Sequence, residues 1–267
     1  NRKNELFELS GTKVPFLNGG LFEKDNSKTK NLNFPATYFT GLFEFFGKYN
    51  FTIDENDPTE KEVGIDPEML GSIFENLLED NKDKGAFYTP KEIVHYMCQE
   101  SLIEYLNTKI NEKQDEGISE SIRVFITKRK TDKQILKLVS PIAIALREVK
   151  ICDPAIGSGA FPMGMLMEIF HAVFELYNAN PKIVSKEWNM NGWQPNIVKS
   201  NIIQNSIYGV DIEKGAVDIA RLRFWLSLIV DEEEPKALPN LDYKIVVGNS
   251  LISKLGDDII DIDWEVR

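Results

Sequence analysis

From residue 149 onward, short apolar runs bounded by turn residues alternate with longer segments in which apolar side chains return every three or four positions. The short runs are Val149 to Cys152, Ile207 to Ile212 and Tyr243 to Val247. Between the first two, Leu166, Ile169, Phe170, Val173 and Phe174 mark one face of a helix; between the last two, Val217, Ala220, Phe224 and Leu228 mark another. Buried strands alternating with helices of that spacing predict an α/β fold with a parallel sheet and crossover helices. The segment from Asn178 to Asn201 carries Trp188, Trp193 and several asparagines, and is expected to lengthen the first crossover and cover one edge of the sheet.

Upstream, Thr89-Pro90-Lys91-Glu92 has the form of a capping box with proline at the first helical position, launching a helix with Ile93, Val94, Met97 and Cys98 turned inward. Residues 107 to 147 read as a charged segment followed by one helix through Ile135, Leu138, Val139 and Ile142. Another helix is expected after Asp66-Pro67, with Leu70, Ile73, Phe74, Leu77 and Leu78 on one face, ended by the polar run Glu79 to Lys84. The first stretch, through about Asn56 and including the aromatic-rich Tyr38 to Phe51, shows no clean period, and the aromatics from Phe39 to Phe51 are expected to serve as core or interface packing. These patterns predict two regions: a mixed, mainly helical one over 1–84, and the α/β unit over 85–267.

A chain of 267 residues, 42% hydrophobic, can bury a substantial core. It shows neither a signal peptide nor an apolar run long enough to cross a bilayer, so a cytoplasmic location is expected. The net charge of −11 argues against this piece alone wrapping a phosphate backbone, since nonspecific nucleic-acid affinity rests on Lys and Arg. Cys98 and Cys152 are expected as buried thiols, and His95 and His171 as structural residues within helices.

The sharpest local signal is Asp153-Pro154-Ala155-Ile156-Gly157-Ser158-Gly159-Ala160-Phe161, a glycine turn at the carboxyl end of the first strand, where open α/β sheets bind ligands. A P-loop needs Lys-Ser or Lys-Thr after its last glycine; Met163-Gly164-Met165 supplies neither. A nucleophile elbow needs Gly-x-Ser-x-Gly, but Ser158 has Ile156 and Ala160 at those offsets. A dinucleotide fingerprint needs a third glycine where Pro162 stands. An acid at the turn, Asp153, suits a ligand bearing an ammonium group, as S-adenosylmethionine does. The second strand ends in Asp211-Ile212, a carboxylate placed for ribose hydroxyls and an apolar side chain placed for an adenine face. Beyond the third, the amide oxygen of Asn249 can accept from an adenine amine.

The Asp-Pro-Ala-x-Gly-Ser-Gly-Ala-Phe turn, with Gly85-Ala86-Phe87-Tyr88-Thr89-Pro90 upstream, resembles the gamma-class adenine-N6 DNA methyltransferases. The segments Leu17 to Phe22 and Asp66 to Asn76 resemble the region preceding that domain in type IIG restriction-modification enzymes. The resemblance implies a Rossmann-like S-adenosylmethionine-dependent methyltransferase sheet, partial here. It further implies that Phe87, Tyr88, Thr89 and Pro90 line the methionine end of the cofactor, that Asp153, Pro154, Ala155, Gly157 and Gly159 hold its amino-acid portion, that Asp211 and Ile212 meet the ribose and adenine, and that Asn249 and Ser250 meet the base. Asn249 stands where an aspartate is common in the family, and Ile156 where a cysteine is frequent.

The family's catalytic tetrapeptide, Asn or Asp followed by Pro-Pro and an aromatic, is expected downstream of Arg267, since the chain contains no Pro-Pro. In the family that motif receives a flipped-out adenine. The chain by itself is therefore expected to bind cofactor without transferring methyl groups, and to meet double-stranded DNA through regions outside it. Two other functions stay open on the residues alone: a methyltransferase for a non-DNA substrate, and a noncatalytic nucleotide-binding module.

Overall fold

The computed structural model describes residues 34–46, 89–111, 113–229 and 238–252, with the backbone of four further short strands. Two of those, β1 (Phe7–Leu9) and β2 (Thr12–Val14), pair antiparallel. Helix α1 (Ala36–Phe46) falls in the aromatic segment that showed no period. Only Glu44 among Ala36–Phe46 is charged, so no polar stripe existed to reveal a helix. Tyr38, Phe39, Leu42 and Phe43 are exposed on it, so the packing expected of these aromatics is not seen among the described residues.

Helix α2 (Lys91–Ile110) starts where the Thr-Pro signal placed it, but with Pro90 as its cap and no side-chain capping bond. The capping box is not formed; the first turn is closed instead by the amides of Ile93 and Val94, both donating to the Pro90 carbonyl. Its buried stripe runs Val94, Cys98, Leu102, Ile103 and Leu106, whereas Ile93, Tyr96 and Met97 are exposed. The inward face is thus rotated from the expected one. Residues read as a charged segment form a helix, α3 (Glu116–Lys128), capped by Asp115, whose carboxylate accepts from Gly117 and Ile118 amides at 2.8 and 3.1 Å. The single helix expected after it is two: α4 (Lys133–Lys137), capped by Asp132, and α5 (Val139–Glu148), with the break at Leu138. That break explains how Pro141 is accommodated: it lies in the first turn of α5, where a missing amide hydrogen leaves no helical bond unmade.

The α/β unit follows as β3 (Ile151–Asp153), α6 (Ala160–Ala179), α7 (Pro181–Glu187), α8 (Pro195–Asn205), β4 (Ile207–Asp211), α9 (Lys214–Ile229) and β5 (Ile245–Val247). The three strands form a parallel sheet in the order β3-β4-β5. A short antiparallel pair, β6 (Lys254–Leu255) and β7 (Asp258–Ile259), follows. The expected strands and both crossover stripes are present, with Leu166, Ile169, Val173, Val217, Ala220, Phe224 and Leu228 all buried. The pairing register puts Ile207, Gly209 and Ile245 on one face, and these are buried. Helices α6, α8 and α9 pack on one another and on the strands. The other face carries Cys152, Tyr208, Val210 and Val246, of which Cys152 is exposed and the rest half-buried. The expectation that both thiols are buried therefore holds for Cys98 and fails for Cys152, which alternates onto the face turned away from these helices.

Among the described residues the insertion packs on helices and on the central strand rather than along an edge strand. Helix α7 packs on α5 and α6, and α8 packs on α5, α6, α9 and the central strand β4. Trp188 is fully buried. Trp193 stacks among Phe170, Phe174 and Tyr177 of α6, with ring centroids 5.5, 4.9 and 5.2 Å away. The tryptophans thus thicken the helical layer, and Phe174 is covered only in part because it lies at the rim of this aromatic group. Among the described residues no helix is long and apolar enough to cross a membrane.

Candidate functional site

The chain leaves β3 through Asp153 and turns sharply over the end of β4. The Ile156 amide donates to the Val210 carbonyl at 3.0 Å, and the Gly159 amide to the Ile156 carbonyl at 2.9 Å. Gly157 and Gly159 take φ values of 54° and 91°, the left-handed region that side chains resist. At Gly159 there is a second constraint: a Cβ would sit 3.2 Å from that of Ala220 on α9. Backbone conformation therefore favours glycine at both positions, and packing adds to it at Gly159. Arg223, buried on α9, donates to the Ser158 carbonyl at 2.9 Å and holds the turn from below.

Asp211, at the end of β4, fastens the same turn. One carboxylate oxygen accepts from the Gly157 amide at 2.8 Å and the other from the Glu213 amide at 2.9 Å. Its backbone carbonyl accepts from Gly248 at 2.8 Å, which ties in the end of β5. A carboxylate offers about four acceptor positions. Among the described residues two are used, which leaves two open. Sequence reasoning missed this role: the expected ribose acceptor is also the side chain that shapes the glycine turn.

The Asp153 carboxylate accepts from the Ala155 amide at 3.0 Å. Burial pushes its pKa up, a shift opposed by that hydrogen bond and reinforced by the charge of Asp211. A cation bound beside this carboxylate would offset both effects. Pro154 and Ala155 are exposed beside it. Ile212 is 74% exposed, which leaves an apolar surface open at the end of β4. Asn249 and Ser250 are exposed beyond β5, and the Asn249 amide oxygen accepts from the Leu251 amide at 3.0 Å, closing a local turn while one acceptor position remains.

Thr89 is half-buried and Pro90 exposed at the start of α2, whereas Phe87 and Tyr88 lie outside the described residues. Helix α2 reaches the glycine turn through α6. Gly164 lies where the two cross, and a Cβ there would stand 2.7 Å from Val94 Cγ1. The Cys98 thiol lies 3.5 Å from the Phe161 carbonyl. Its pKa is pushed up to about 12 by burial, with smaller contributions from the charges of Glu168 and Asp153. The structure therefore brings Asp153, Gly157, Gly159, Asp211 and Asn249 to one end of the sheet, with α2 packed on α6, the helix that follows the turn. Two open hollows of about 570 and 560 Å³ lie elsewhere, one between α2 and α3 around Asn107 and Arg123, the other beside Tyr105 and Lys150. Neither contains a residue of the strand-end group, and volume alone does not make a site.

Sequence reasoning also passed over two arginines of α9. Beside Arg223, Arg221 donates through Nε and Nη2 to the Ile245 carbonyl at 2.9 and 2.5 Å, fixing β5. Their signal was present: two arginines among the apolar positions of an otherwise buried helix, where an isolated charge would be untenable.

The glycine turn and the carboxylates of Asp153 and Asp211 thus lie together at the carboxyl ends of the parallel strands of an α/β protein. No protein-family model matches the chain. It is 31% identical over 273 residues to a Methanocaldococcus jannaschii protein named as a type II restriction enzyme and methyltransferase, covering 92% of this chain and 22% of that protein. It is 24% identical over 198 residues to the adenine-specific methyltransferase BrxX of Escherichia coli, covering 73% of this chain and 14% of that protein. The chain is related to adenine methyltransferases of restriction-modification type. It spans about a fifth or less of the length of these relatives.

Proposed function

We propose that this chain is the S-adenosylmethionine-binding part of a site-specific DNA adenine-N6 methyltransferase of a restriction-modification system. The observation that carries the proposal is the convergence of Asp153, the Gly157–Gly159 turn, Asp211 and Asn249 at the carboxyl end of one parallel sheet, joined by the Asp211–Gly157 bond of 2.8 Å. The names of both relatives include methyltransferase, and that of BrxX specifies adenine.

In this reading Asp153 pairs with the cofactor's ammonium group, and the backbone of Ala155 to Gly159 approaches its amino-acid portion. Asp211 accepts from ribose hydroxyls with the two acceptor positions left open. Ile212 packs on the adenine, and Asn249 and Ser250 meet its polar edge. Thr89 and Pro90, with Phe87 and Tyr88, close the methionine end. The cofactor supplies an electrophilic methyl group; this chain's residues bind and orient it. No Pro-Pro pair occurs in the sequence, so the groups that hold the target adenine are to be sought outside it. The net charge of −11 supports the reading that DNA is met through regions outside this chain.

Calorimetric titration with S-adenosylmethionine, beside a nicotinamide dinucleotide control, tests this reading. Selective binding is expected, weakened in Asp153→Ala by about 1.5–3 kcal/mol for loss of a charge-assisted contact. Equal affinity for both ligands, or no effect of Asp153→Ala, would overturn the assignment.

A further inference from the structure

One buried ionic cluster lies outside the strand-end group. Glu168 sits on α6, about nine residues beyond the glycine turn, and its side chain is 3% exposed. Its Oε1 lies 2.6 Å from Nδ1 of His95 on α2, and its Oε2 lies 2.5 Å from Nη2 of Arg129. Gln99, one turn after His95 on α2, donates to Oε2 at 3.4 Å. Arg129 terminates α3 in the left-handed conformation, with φ 54°. One carboxylate therefore gathers α2, α6 and the end of α3. A buried ionic group of this kind is poor evidence for stability, because apolar substitutes of the same volume often serve as well; its attested use is to fix one register of packing over others.

The register at stake is that of α2 on α6. Apolar packing holds the two helices through Gly164, Val94 and Cys98, but such contacts tolerate sliding and rotation. The Glu168–His95 contact is directional, and His95 lies little more than one turn beyond Pro90. At their N-terminal ends these two helices carry Thr89–Pro90 and the glycine turn, the two walls assigned above to the methionine portion of the cofactor.

We infer that Glu168 is a positioning residue: through His95 and Gln99 it sets where the Thr89–Pro90 end of α2 stands relative to the Gly157–Gly159 turn. The inference rests on the proposed cofactor site. Among the described residues Glu168 contacts His95, Gln99 and Arg129; it acts on binding through the placement of α2.

The test has two arms, one of which needs no cofactor. In the first, amide hydrogen exchange is followed in the wild-type chain, Glu168→Gln and His95→Ala. The second variant guards against misfolding, since His95 is 55% exposed. Arg123→Ala serves as control, because it breaks the Arg123–Glu100 pair that joins α3 to α2 farther along, with contacts of 2.6 and 2.9 Å. In both test variants, protection should fall selectively at Ile93 and Val94, whose amides close the first turn of α2. In the second arm, S-adenosylmethionine affinity, measured where circular dichroism shows each protein fully folded, should weaken roughly tenfold in Glu168→Gln and stay unchanged in Arg123→Ala. A uniform loss of protection across the core with unchanged affinity would assign Glu168 to stability alone and overturn the inference. If the wild-type chain binds no S-adenosylmethionine, the proposed function fails, and the exchange pattern alone decides whether Glu168 positions α2.

Discussion

Gly209 lies in the middle of β4, and its lack of a side chain is a packing requirement of the neighbouring turn. A Cβ built there would stand 2.2 Å from Ile156 Cδ1 and 3.0 Å from both Cβ and Cγ1 of the same residue. Ile156 is 3% exposed and belongs to the glycine turn, where its amide is bonded to Val210. Gly209→Ala therefore forces the turn to lift from the sheet, or Ile156 to leave its rotamer. Overpacking of this kind costs about 1–3 kcal/mol, which for a chain of this size corresponds to roughly 2–4 °C in melting temperature per kcal/mol. The worst overlap involves Cδ1, which valine lacks. Ile156→Val, itself costing about 0.5–1.5 kcal/mol, should then relieve part of the damage. A double-mutant cycle by urea denaturation is expected to show coupling of about 1 kcal/mol, with the pair better tolerated than the sum of its parts. A neutral Gly209→Ala, or strictly additive effects, would refute the claim that β4 supports the turn by direct contact. Gly209→Ala should also weaken S-adenosylmethionine binding, since the displaced turn carries the backbone of Gly157 and Gly159.

Three further outcomes follow from particular groups. Burial and the nearby Asp211 raise the Asp153 pKa, so its ionised form is disfavoured in the fold; the resulting penalty is absent below the ordinary aspartate pKa and full above the raised one. Asp153→Asn keeps the acceptor for the Ala155 amide, and is expected to raise the melting temperature at neutral pH while weakening cofactor binding, the thermal gain vanishing as pH falls below the ordinary aspartate range; a variant less stable than wild type at neutral pH would contradict this. Arg221→Ala leaves the buried Ile245 carbonyl without its two side-chain donors and should cost about 1–3 kcal/mol on chemical denaturation, whereas an unchanged midpoint would remove Arg221 from its role at β5. With a thiol reagent at pH 8, one equivalent should react promptly at Cys152, and Cys98, buried with its pKa raised to about 12, only on unfolding; prompt reaction of both would contradict the packing of α2 on α6.

The elements nearest the site were the most legible in the sequence. Strands β3, β4 and β5 follow from short apolar runs and the stripes of α6 and α9 from helical periodicity, because β4, α6 and α9 each bury a face or stripe. The glycine turn was legible because its left-handed residues admit few alternatives to glycine. Helix α3 was hidden by its charge, and α1 by the lack of any polar stripe. The rotated face of α2 was hidden because Ile93, Tyr96 and Met97 are apolar without being buried. Cys152 was misjudged because a strand of three residues does not reveal which of its faces the helices will cover. The links that hold the site together, Asp211 to Gly157, Ile156 against Gly209, Arg223 to Ser158 and Glu168 to His95, join residues between 53 and 73 positions apart, and no local pattern announces such pairs. For the helix after Asp66 and for Phe87 and Tyr88, the expectations lie outside the described residues.

If three strand ends form one cofactor site, backbone amide chemical shifts followed by NMR during titration with S-adenosylmethionine will report it. Saturable shifts are expected, confined to Ala155 to Gly159, Asp211 to Glu213 and Gly248 to Leu251, with smaller ones at Lys91 and Glu92. Shifts centred instead on the hollow around Asn107 and Arg123, or a spectrum unchanged at saturating cofactor, would contradict it.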